Sequence, residues 1–151
     1  MNSPHVPAPL PLEPPPLARQ LSSAGLIPFV LGALLIWLVW PDVQPHVTLA
    51  LSAYAATVIA FLGGTHWGIA MRADAAGPRA FGWAVVPPLV ASVAVIMPAY
   101  AGLVVHGVML LVCYGQDRKL YAAHGYGHWL TLRFRLTAVA AMSCFLGAAG
   151  T

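Results

Sequence analysis

The chain reads as an all-α, polytopic membrane bundle of five transmembrane helices with its N-terminus in the cytoplasm. Three observations predict this. Hydrophobic residues fill 60% of the 151 positions and charged residues only 7%, with a mean hydropathy of +0.79. Soluble domains carry roughly 25% charged residues to cover a wet surface. Apolar runs recur that approach or exceed the roughly 18 residues needed to cross about 30 Å of hydrocarbon. Finally, all seven Lys and Arg fall on one side of a five-span arrangement, which the positive-inside rule makes the cytoplasmic side. The apolar runs lack the alternating polarity of outer-membrane strands.

The first 20 residues, Met1 to Gln20, hold seven prolines. Each proline removes a backbone donor, so this arm is expected to be extended or disordered. It lacks the basic segment and immediate apolar stretch of a cleavable signal. The transmembrane domain is placed at 21–151. Its first span is Leu21 to Trp40, ended by Pro41, with Trp37 and Trp40 suited to the far interface. After the tight loop from Pro41 to His46, the second span runs from about Val47 to Met71. The turn from Arg72 to Arg79 leads to a third span, Ala80 to about Met97. Pro87 and Pro88 near its middle are expected to kink it or open its hydrogen bonds. A fourth and shortest span is placed at Ala99 to Tyr114. Gln116 to Leu130 is expected to lie as a loop along the headgroup layer, and the fifth span covers Thr131 to about Ala149.

The informative segment is Phe61-Leu62-Gly63-Gly64-Thr65-His66-Trp67-Gly68. Polar, titratable groups inside hydrocarbon are costly and persist mainly where they face a bundle interior, a cavity or a ligand. Ala60, Gly63, Gly64 and Gly68 are candidate helix-packing positions, because small residues four apart let backbones approach. His66, Trp67 and the mid-span His106 are candidate cofactor-binding residues, with a structural interhelical hydrogen bond as the alternative for His66. By helical rise the two histidines differ in depth by about 8–10 Å, which fits poorly with two axial ligands of one haem. His124 and His128 are four apart, but Gly125 and Gly127 break the helix that would align them, and no third metal ligand follows. No metal site is expected, and Cys113 and Cys144 read as buried small hydrophobes.

Arg72, Arg79, Arg118, Lys119, Arg133 and Arg135 form a basic rim suited to anionic lipid headgroups. One of Arg133 and Arg135 can instead turn toward Asp117 or His66, since residues two apart leave a helix on different faces. The small, scattered net charge of +3 does not suit nucleic acid. The sequence offers no serine–histidine–acid set, no phosphate-binding glycine loop and no paired acids inside the membrane, so catalysis by a familiar scheme lacks its parts.

The run from Leu51 to Gly68, the Trp83 to Pro88 stretch, Asp117-Arg118-Lys119-Leu120-Tyr121 and the run from Leu130 to Thr137 together resemble the DUF3429 family, whose animal members are called transmembrane protein 69. The likeness covers roughly Gly25 to the C-terminus. It implies a multi-span protein of the bacterial inner membrane with relatives in mitochondria, and it carries no established activity. Three functions are then open. The first is a non-enzymatic accessory or assembly subunit of a larger membrane complex, with other integral subunits or further copies of itself as partners. The second is a lipid-, quinone- or haem-binding protein with its site near His66. The third is a small transporter, weakened by five spans that give no even repeat and by an interior expected to lack carboxylates.

Overall fold

The computed structural model describes residues 13–72 and 77–151. Residues 1–12 of the expected proline-rich arm lie outside the described residues. The elements are α1 (Pro16–Ala24), α2 (Ile27–Leu38), α3 (Gln44–Arg72), α4 (Pro78–Ile96), α5 (Ala99–Ala123) and α6 (Leu130–Ala149), with a short 3-10 turn at Gly127–Trp129 before α6. Among the described residues the structure is all-α, and five stretches are long and apolar enough to cross a membrane, with α1 and α2 together making the first.

The first span begins at Pro16, earlier than the expected Leu21, because proline at the first helical position has no donor to lose. It breaks at Gly25 and Leu26. Pro28 lies just inside α2, and its ring would meet the carbonyl four residues back in a continuous helix. The Tyr54 hydroxyl of α3 donates to the Gly25 carbonyl at 2.8 Å, satisfying an acceptor that the break exposes.

At the end of the bundle away from the basic rim, Gln44 closes two helix termini. Its side-chain amide donates to the Ile36 carbonyl at 3.1 Å and to the Gly150 carbonyl at 2.8 Å. The Trp37 indole donates to the Leu146 carbonyl at 3.0 Å. Carbonyls in the last turn of a helix have no intrahelical partner, so these bonds replace water at the ends of α2 and α6.

Pro87 and Pro88 lie inside α4 as expected. Proline at 88 leaves the Ala84 carbonyl without its usual donor, and that oxygen faces Gly63 of α3. A Cβ at position 63 would sit 2.5 Å from it and 3.0 Å from Pro88 Cδ. The bare Gly63 backbone is therefore what lets α3 and α4 meet. Ala60, Gly64 and Gly68 are exposed on the outer face of α3, and a Cβ at 64 or 68 meets nothing within 4 Å. Packing inside the chain falls to Gly63 among the four expected positions.

The largest departure from expectation is α5. Placed at Ala99 to Tyr114 from sequence, it continues to Ala123 and is 25 residues long. Its end is set by Gly125, the one described glycine with positive φ, at 78°. There the Tyr126 amide donates back to the Tyr121 carbonyl at 2.8 Å, the six-to-one bond that closes a helix around a left-handed residue. Most of the expected headgroup loop is thus helix, and Asp117 is carried inside.

Gly63→Ala should lower stability in detergent by about 1–3 kcal/mol, the usual effect of overpacking. Gly64→Ala should stay within about 0.5 kcal/mol, as for surface sites. Thermal unfolding of the two purified variants checks the contrast.

Candidate functional site

α3 and α5 each present a buried seam. On α3 it runs through Ser52, Ala55, Ile59, Leu62 and His66, and on α5 through His106, Leu110, Cys113 and Asp117. Steps of three and four residues keep such a row on one helix face. Two polar rungs join the seams. Ser52 Oγ and His106 Nε2 are 3.0 Å apart, and His66 Nε2 and Asp117 Oδ1 are 2.5 Å apart. Both pairs advance in the same direction along the chain, so α3 and α5 run parallel.

Asp117 is the hub. It is 0% exposed, yet side chains from two other helices converge on its carboxylate. Arg133 of α6 donates to Oδ2 through Nε at 2.8 Å and also through Nη2. His66 of α3 occupies Oδ1. A carboxylate facing a guanidinium in this way accepts only, so the histidine supplies the proton and Nε2 carries the hydrogen. The group lies about 9 Å of helical rise inside the end of α5, near the edge of the apolar layer. Charges so placed are tolerated because each is paired and hydrogen-bonded.

His66 is 3% exposed, and its second nitrogen, Nδ1, has no partner. The same holds for the Trp83 indole nitrogen on α4. Both rings line one cavity of about 550 Å³, whose wall also includes Ile69, Ala80, Leu120 and, at the basic end, Arg79, Gln116 and Lys119. With Nε2–H committed to Asp117, Nδ1 of a neutral His66 keeps a lone pair and Trp83 keeps an N–H, and both atoms are buried although their residues line the cavity.

The expected cofactor residues do not converge. Trp67 is 43% exposed and packs edge-on against Phe81 with ring centroids 5.1 Å apart. His106 is 0% exposed and belongs to the other rung, about 16 Å of helical rise from Asp117 along α5. His66 and His106 cannot hold opposite faces of one haem. Trp83, quoted in the sequence only within a proline-bearing stretch, takes the place expected of Trp67. Of the six expected headgroup residues, Arg72, Arg79, Arg118, Lys119 and Arg135 are exposed. Arg133 is not: its side chain is 13% exposed and turned inward, because Asp117 is a buried counter-charge. The expectation of an interior without carboxylates is corrected by the same residue. Among the described residues, no group of three His, Cys, Asp or Glu side chains is placed to hold a metal.

Asp117 entered the sequence reading only as an alternative partner for Arg133 or Arg135, because it sits in a charge run, and Trp83 was missed as a site residue because it was read with the nearby proline pair. Continuing the seam spacing from His106 and Leu110 to Cys113 would have reached Asp117.

The chain belongs to the family described as "Protein of unknown function (DUF3429)", whose model matches residues 14–149. It is 35% identical over 141 residues to "Transmembrane protein 69" of Xenopus tropicalis, covering 87% of this chain and 53% of that protein. The chain thus spans about half the length of that relative. No solved structure matches it.

Asp117→Asn should destabilise the protein by about 3–5 kcal/mol, because Arg133 is left as a partly buried, unpaired cation. The double variant Asp117→Asn/Arg133→Met should recover much of that loss. Denaturant unfolding of the single and double variants measures the coupling.

Proposed function

We propose that this chain is a non-enzymatic multi-span protein of the bacterial inner membrane that binds an amphiphile at the basic end of its bundle. The observation that carries the reading is a cavity at the basic end lined by His66, Trp83, Arg79 and Lys119, the first two of which each keep a buried ring nitrogen without a partner. A buried polar atom without a partner costs about 1–3 kcal/mol, so a ligand whose binding shifts either ring enough to satisfy its nitrogen gains part of that back. The volume of about 550 Å³ falls within the roughly 300–1,000 Å³ of small-molecule sites. Apolar walls beside a few polar groups suit a molecule with an apolar body and a polar head.

A second reading, an accessory or assembly subunit of a larger membrane complex, is favoured by a different surface. Ala60, Gly64 and Gly68 make an outward strip on α3 without bulk. Another integral subunit or a second copy of this chain could approach there by close backbone contact. A transporter has less support, since both oxygens of the buried carboxylate are occupied by Arg133 and His66.

The amphiphile reading is tested by purifying the full chain in mild detergent and identifying the lipids extracted with it. A stoichiometric species should co-purify, and His66→Ala should lower its occupancy about tenfold; equal occupancy in a folded variant counts against the site. For the subunit reading, Gly64→Leu should remove co-purifying membrane subunits while the chain stays folded. Orientation is tested separately in intact cells. Asp42→Cys should react with an impermeant thiol reagent, and Arg118→Cys only after permeabilisation, as a cytoplasmic basic end requires.

A further inference from the structure

The two partners of Asp117 border different cavities. His66 lines the one described above, whereas Arg133 lines a second of about 520 Å³, and Ile69 is the single wall residue they share. α1 bounds the second cavity through Ala18, Leu21 and Ser22, which a spacing of three and four residues puts on one helix face. Yet α1 has no buried residue. That face stays unburied because a cavity, not a layer of side chains, lies beneath it.

The basic end of this space is aromatic. Tyr121, Tyr126 and Trp129 are half-buried wall residues, and the two tyrosine rings meet edge-on with centroids 6.1 Å apart. Arg133 commits Nε and Nη2 to Asp117. Its third nitrogen, Nη1, has no acceptor among the described residues and is not sealed. A narrower cavity of about 190 Å³ has Ser22, Phe61, Leu62, Arg133 and Leu136 in common with this one, so the two adjoin. It reaches Phe29 and Ala140, the latter about 10 Å of helical rise beyond Arg133. The joined space thus runs from a hydrogen-bonding, aromatic end to a mostly apolar end deeper in the bundle.

Asp117 already balances the charge of Arg133, so a carboxylate or phosphate here would be a second anion on one guanidinium. A neutral carbonyl oxygen accepts the same N–H without that repulsion. Aromatic walls favour a further ring, held offset or edge-on. We propose that the joined space binds a quinone with a long aliphatic tail, its ring among Tyr121, Tyr126 and Trp129, a carbonyl accepting from Arg133 and the tail toward Phe29 and Ala140. This site is separate from the His66 cavity and does not depend on its occupant.

The test measures saturation of the purified full chain, in a neutral detergent, by radiolabelled decyl-benzoquinone. Unlabelled decylbenzene, which lacks both carbonyls, and hexadecanoic acid then compete for it. The quinone should bind one-to-one, and both competitors should bind at least about tenfold more weakly, decylbenzene for want of one good hydrogen bond. Ser22→Trp, which fills the space from the unburied face of α1, should weaken quinone binding about tenfold or more while helical content is kept. Should that variant fail to fold, the competition on the unaltered chain decides alone. Decylbenzene binding as tightly as the quinone overturns the role of Arg133. Tighter binding of hexadecanoic acid overturns the neutral head in favour of an anion. Undiminished quinone binding by folded Ser22→Trp overturns the location, and absence of saturable binding overturns the proposal entirely.

Discussion

One carboxylate, held out of water, fixes the basic half of this bundle. Asp117 of α5 engages His66 of α3 and Arg133 of α6, so three helices that are far apart in sequence meet at one point. In a bilayer the helices gain little from apolar association, because lipid is as apolar as their side chains. Neutral interhelical hydrogen bonds in membranes average about 0.6 kcal/mol, and the Ser52–His106 rung is of that kind. The Asp117 group differs, since removing any member strands a charge or a donor in a place that water reaches poorly. It therefore sets the register of α3 against α5 more firmly than the rest of the seam.

Around that hub the bundle uses broken backbone instead of many polar side chains. Pro28 opens the first span, and Tyr54 takes up the carbonyl at Gly25. Pro88 frees the carbonyl of Ala84, and Gly63 is small enough to let it approach. In hydrocarbon an unmatched backbone group must be satisfied by a neighbouring helix or lie against one closely. Both proline breaks thus dictate a residue on α3, a tyrosine at one level and a glycine at another. The central position of α3 follows from these contacts.

Much of the architecture was legible in the sequence because its signals are local. Five apolar stretches, the proline pair in α4 and an inward His66 follow from composition and from the cost of a polar group in hydrocarbon. The site was only half legible. Asp117-Arg118-Lys119 reads as a solvated run when taken in order, but successive helical residues point about 100° apart. Asp117 turns inward while Arg118 and Lys119 face out. Whether a charge is buried here depends on a counter-charge 16 residues later, at Arg133, and no local pattern contains that. The family match does not supply it either, since belonging to DUF3429 assigns no role to any of these side chains.

The two buried histidines show why an unpaired nitrogen carries different meanings. Both keep Nδ1 without a partner. His106 is sealed at 0% exposure among Leu103, Leu110 and Cys113 along the same helix. Its partner Ser52 can both donate and accept, which leaves the ring's tautomer free. His66 is different on each count. One ring nitrogen is committed to a carboxylate, which fixes the tautomer, and the residue lines a cavity together with Trp83, which also keeps an unpaired nitrogen. A carboxylate behind an imidazole holds the ring's angle. His66 thus ties α3 to the Asp117–Arg133 pair through one nitrogen, whereas His106 ties α3 to α5 through a neutral hydroxyl.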